Sequence, residues 1–148
     1  MEVNDQVADF TLQTEEDKTV HLKDYAGAPV VLFFYPRADT PGCTIEACGF
    51  RDVFKKIQQA GAVVLGISRD TVRAQKKFKE KYNLPYTLLA DVDEVVCKQF
   101  DVLKEKNMYG KKVMGVARTT FVIESGKIKK IFNNVKPEGH AEEVLAAL

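Results

Sequence analysis

The 148-residue sequence predicts an α/β fold in which a mixed central sheet carries helices on both faces. Three observations lead there. Two β-rich runs, "PVVLFFYP" and "AVVLGIS", are apolar without interruption, as strands covered on both faces are. Segments with apolar residues at helical spacing alternate with these runs, the pattern of parallel strands joined by helices. Further on, "RTTFVIESGKIKKIFNN" reads as two strands turning at Ser125-Gly126, a hairpin signal that adds an antiparallel part.

The elements follow in order. "VADFTLQ" alternates apolar and polar residues and reads as a half-buried edge strand, and residues 29–36 form the central strand. From Cys43 to Ala60 the apolar positions Ile45, Cys48, Phe50, Val53, Phe54 and Ile57 recur at helical spacing, with Gly61 as a stop. Residues 62–68 are a second buried strand. "TVRAQKKFKEKYN" is a helix with a charged outer face, on which the "KKFKEK" run is solvated. "PYTLLAD" is a short strand, "DEVVCKQFDV" a short helix, and "PEGHAEEVLAAL" a closing helix after the hairpin. Residues 1–148 read as a single domain, without repeats, linkers or low-complexity segments.

Composition excludes several functions. With 22 Lys and Arg against 21 Asp and Glu, the net charge of +1 provides no field for nucleic acid or anionic lipid. The longest apolar stretch is too short to span a bilayer, and "MEVNDQVADF" carries acids where a secretory signal needs basic residues, so a cytoplasmic location is expected. In such a reducing compartment a pair drawn from the three cysteines serves catalysis rather than structure. His21 and His140 stand in unrelated contexts and not at ligand spacing from the cysteines, so no zinc site and no cofactor are expected.

The stretch "FFYPRADTPGCTIEACGFRD", residues 33–52, carries the chemistry. A residue before proline is extended and proline suits the first helical position, so Thr40 falls at the N-cap, Pro41 begins the helix and Cys43 is its third residue. There the thiol lies beside backbone N–H groups that lack intrahelical partners, and the positive end of the helix dipole favours the reactive thiolate. Gly42, lacking a Cβ, leaves room for a small substrate to approach the backbone. A cysteine in this turn could serve as a small apolar residue, but the prolines, capping hydroxyl and glycine, the strand end before it and the second cysteine nearby favour a reactive thiol.

The same stretch resembles the peroxiredoxin motif Pro-x-x-x-Thr-x-x-Cys, carried here by Pro36, Thr40 and Cys43. Cys48 and the following "FRD" resemble the bacterioferritin comigratory protein or peroxiredoxin Q group in particular. "ADFTL", "GISRD" and "GVARTTFVI" extend the resemblance over essentially the whole chain. It implies a thioredoxin-like fold and a thiol peroxidase acting on hydrogen peroxide and organic hydroperoxides. Cys43 would be the peroxidatic cysteine and Cys48 the resolving one, joined in an intramolecular disulfide that thioredoxin or a similar dithiol reductant reopens. Arg118 matches the family's active-site arginine, and Pro36 would shield the sulfur from water. A thiolate attacking an O–O bond drives negative charge onto the leaving oxygen, and the Thr40 hydroxyl, the Gly42 and Cys43 N–H groups and Arg118 are the donors available to it. A monomer is expected.

Cys97 has no place in the motif and reads as a packed core thiol. Glu46 and Arg51 on the Cys43 helix read as a surface ion pair or as residues that help to order the site, the surface pair being the favoured reading. The rival function is a thiol-disulfide oxidoreductase without peroxidase activity, but such carriers use Cys-x-x-Cys, whereas four residues separate Cys43 from Cys48.

Overall fold

The computed structural model describes residues 1–148. The chain forms β1 (Thr11–Thr14), β2 (Thr19–His21), β3 (Val30–Phe34), α1 (Pro41–Gln59), β4 (Val63–Ser68), α2 (Val72–Tyr82) and β5 (Thr87–Ala90). It continues with α3 (Val95–Gln99), β6 (Leu103–Met108), β7 (Lys111–Val116), β8 (Thr119–Glu124), β9 (Lys127–Phe132) and α4 (His140–Ala146). Seven strands make one sheet in the order β2-β1-β5-β4-β3-β8-β9. β3 runs parallel to β4, and β4 to β5, while β1 and β8 join antiparallel, which makes the sheet mixed.

Every residue of β3 is buried because the strand has helices on both sides. Val31, Phe33 and Tyr35 face a core shared with Phe50 of α1, Phe78 of α2 and Val144 of α4. Leu32 and Phe34 face the opposite core, where α3 contributes Val96 and Cys97. Successive side chains of a strand alternate between faces, so an uninterrupted apolar run is what a two-sided position requires.

Local signals place most boundaries. Pro41 opens α1 after an extended Thr40, and Thr71 caps α2 by accepting a hydrogen bond from the Ala74 N–H at 3.1 Å. The β8–β9 turn uses Ser125 and Gly126, both at positive φ, as a tight hairpin with right-handed twist demands.

Two expectations need correction. β1 is not an edge strand, because residues 19–21 fold back as β2 and pair with it on the outer side. The polar, glycine-containing segment between α3 and β8, to which the sequence assigns no element, is the β6–β7 hairpin, which pairs over six residue positions outside the main sheet and turns at Tyr109-Gly110.

Candidate active site

The register of β3 with β8 builds the site. Phe34 pairs with Thr119, so the residue before β8, Arg118, lies beside the end of β3, where the chain leaves for α1. That loop is tied down: the Ala38 N–H donates to Asp70 at 2.8 Å, and Asp39, at φ 59°, accepts from Lys81 at 2.9 Å and from the Tyr82 hydroxyl at 2.7 Å. Pro36 is half-buried beside Arg37, Arg69 and Asp70.

Cys43 sits in the first turn of α1 and is 1% exposed. The α1 ladder begins with the Thr44 N–H donating to the Thr40 carbonyl at 2.9 Å, so the Gly42 and Cys43 N–H groups precede it. Thr40 occupies the N-cap with extended backbone, but its hydroxyl donates to the Arg37 carbonyl at 2.8 Å rather than capping the helix. Across from the thiol, Arg118 Nη1 lies 3.5 Å from Cys43 Sγ and donates to Glu46 Oε1 at 2.9 Å. Cys43, Thr40 and Arg118 are therefore gathered at one end of β3.

The room that Gly42 leaves is used by the protein itself. A Cβ on Gly42 would stand 3.1 Å from Arg118 Nη2 and 3.4 Å from Pro137 Cγ, so the glycine admits the guanidinium. Glu46 is not the surface partner of Arg51. It is completely buried and grips Arg118, while Arg51 pairs with Asp52 and donates to the Tyr82 carbonyl. Burial pushes the Glu46 carboxyl up to about 7 against the opposing pull of Arg118. For Arg118, burial disfavours the charge, but Glu46 and Cys43 outweigh it and hold the guanidinium above its ordinary value.

Cys48 is half-buried two turns into the site's helix and free, as are all three cysteines. Burial raises its thiol above the ordinary value, with Arg51 opposing and Asp52 adding to the shift. Cys97 is fully buried, and burial followed by the neighbouring Asp91 carboxylate pushes its thiol far upward, in keeping with a packed core thiol. His140, which the spacing left outside the site, closes its far side: Nε2 lies 2.7 Å from Thr120 Oγ1 and 3.8 Å from Glu46 Oε2.

The architecture is thioredoxin-like, and the relatives of this chain make it a thiol-dependent oxidoreductase. The AhpC/TSA family pattern matches residues 3–131, and the Bcp peroxiredoxin of Coxiella burnetii is 52% identical over 149 residues, spanning 100% of this chain and 99% of that one. Among solved structures, the Xanthomonas campestris bacterioferritin comigratory protein, studied for alkyl peroxide reduction, is 40% identical with a TM-score of 0.89, covering 93% of this chain and 88% of that one. Xylella fastidiosa peroxiredoxin Q, 37% identical, superposes with a TM-score of 0.95 over 99% of this chain and 94% of its own. The chain belongs to the AhpC/TSA family, as a peroxiredoxin of the bacterioferritin comigratory protein or peroxiredoxin Q group.

Proposed function

We propose that this chain, acting as one domain, reduces hydrogen peroxide and organic hydroperoxides with Cys43 as nucleophile and Cys48 as resolving thiol. The single observation that carries the assignment is Arg118 Nη1 at 3.5 Å from the Cys43 sulfur, held there by a buried carboxylate. The Cys43 thiolate attacks the terminal peroxide oxygen and the O–O bond breaks. The cysteine becomes a sulfenic acid, and the alkoxide or hydroxide leaving group takes a proton to give alcohol or water. Arg118, with the Gly42 and Cys43 N–H groups, stabilises the charge that develops on the leaving oxygen. The Cys48 thiol then condenses with the sulfenic acid, releasing water and forming the Cys43–Cys48 disulfide. A dithiol reductant of the thioredoxin type restores both thiols.

Thr40 orders the entry to α1 through Arg37, and Pro36 covers the approach to the sulfur. The reading takes the protein as a cytoplasmic monomer; no helix is long and apolar enough to cross a membrane. Peroxide consumption in the presence of reduced thioredoxin tests the reading. Wild-type protein should turn over, and Cys43→Ser should fold and be inactive, because a serine hydroxyl is not a usable nucleophile at neutral pH. Turnover by that variant at the wild-type rate rejects the assignment.

A further inference from the structure

The Arg118–Glu46 contact continues into an unfinished buried pair. Glu46 Oε1 accepts from Arg118, whereas Oε2 has no hydrogen-bond partner. His140, 1% exposed at the start of α4, is set edge-to-face against the rings of Phe50 and Phe132. Its Nε2 meets the Thr120 hydroxyl and faces Glu46 Oε2, while its Nδ1 also lacks a hydrogen-bond partner and lies 3.6 Å from Glu143 Oε2. Glu143 is exposed, so one chain of contacts runs from solvent through Glu143, His140, Glu46 and Arg118 to the Cys43 sulfur. Buried polar atoms are ordinarily satisfied, and an ionised one left without a partner is strongly disfavoured. The two unpartnered atoms, Glu46 Oε2 and His140 Nδ1, lie on adjacent members of this chain of contacts.

We propose that His140 is a positioning residue for the Cys43 site: it supports the Glu46 carboxylate that grips Arg118 and couples the protonation of the buried Glu46–His140 pair to the guanidinium facing the sulfur. The inference rests on the peroxidase reading above. The groups around the pair are Arg118 just before β8, Cys43 on α1, Glu143 on α4 and Tyr86 beside β5. Burial pushes Glu46 up and His140 down, so both favour their neutral forms; Arg118 opposes this at Glu46 but adds to it at His140, where Glu143 is the opposing group. With the proton on His140, Glu46 is an anion and holds Arg118 by a charge-assisted bond. With the proton on Glu46, that bond weakens and the guanidinium is less firmly aimed at the sulfur. An imidazole that can carry charge thus keeps Glu46 ionised to lower pH than an apolar neighbour would.

The test compares wild type, His140→Leu and His140→Gln by two measurements over a pH series. One is the rate of Cys43 oxidation by hydrogen peroxide in a single turnover. The other is the infrared carbonyl band of protonated Glu46, assigned by its loss in Glu46→Gln. In His140→Leu the Glu46 midpoint should rise by about one pH unit and the rate at neutral pH fall about fivefold, because the ionised share of a group that titrates at about 7 then drops from one half to roughly one tenth. In His140→Gln, whose amide can still donate to the carboxylate, the midpoint should rise by less and most of the rate return. A Glu46 midpoint and a pH–rate profile that coincide with wild type in His140→Gln overturn the proposal, even if His140→Leu does not fold. An unreactive wild-type Cys43 would instead reject the peroxidase reading, and the infrared midpoints would still decide whether His140 governs Glu46.

Discussion

Cys43 and Cys48 lie on one unbroken helix, five residues apart and both as free thiols. On a regular helix that spacing sets their Cα atoms roughly 8.6 Å apart and about 140° around the axis. A disulfide tolerates at most about 7 Å and needs converging Cβ vectors. The bond therefore cannot close until the start of α1 unwinds. The amides of the first turn have no helical acceptors to lose, which makes it the easiest part of α1 to open. Hydrogen exchange from Thr40 to Phe50 should be markedly faster in the disulfide form than in the dithiol form, with the sheet little changed. Equal protection in both forms, with the Cys43–Cys48 bond confirmed by mass, would refute this unwinding.

Cys48→Ser should be oxidised once by peroxide and then stall or proceed to the sulfinic acid, because no second thiol remains within reach. Cys97 is a poor substitute: it is buried on the opposite face of the sheet, with its thiol pushed far upward. Mass spectrometry after one equivalent of peroxide should find the sulfenic acid at Cys43. Normal recycling of the variant by thioredoxin would remove Cys48 from its role.

Arg118→Ala should slow the peroxide step about a hundredfold, the usual loss when one transition-state donor is removed. Stopped-flow oxidation of the reduced protein measures it. An unchanged rate across the pH range would reduce Arg118 to a structural partner of Glu46.

Glu46 also predicts a pH dependence of stability. Its carboxyl in the folded protein is raised to about 7 from an ordinary 4.5. Between those values the folded state binds more protons than the unfolded state, so this group's contribution is full below pH 4.5 and is lost as pH rises through about 7. The loss is on the order of 3 kcal/mol. Glu46→Gln cannot ionise and escapes it, so urea unfolding should show the variant gaining on wild type between pH 5 and pH 8. Parallel stability curves would mean that Glu46 does not titrate in this range.

Thr40, Pro41 and Cys43 are contiguous, and cap and proline preferences act over a single turn, so the placement of the thiol was legible. Arg118 is 75 residues from Cys43 and meets it through the β3–β8 register, which no local pattern records; only the family resemblance singled it out. Glu46 and Arg51 are charged and close in sequence, which suggests a pair that helix geometry does not support. Five positions on a helix point to different sides, and Glu46 turns inward. His140 joins the site only because α4 packs its buried side against α1, a tertiary event without a sequence signature. The β6–β7 ribbon escaped notice because most of its residues face solvent on both sides, which erases the apolar alternation that marks a half-buried strand.

The position of Glu46 between the two cysteines has a final consequence. An α1 that opens to bring Cys43 to Cys48 carries Glu46 with it and so releases Arg118 from its buried grip. The disulfide form then has neither its nucleophile nor an aimed guanidinium. If Cys48 resolves Cys43 as proposed, the molecule works like a latch that springs with each oxidant it takes and stays sprung until a reductant lets the helix rewind.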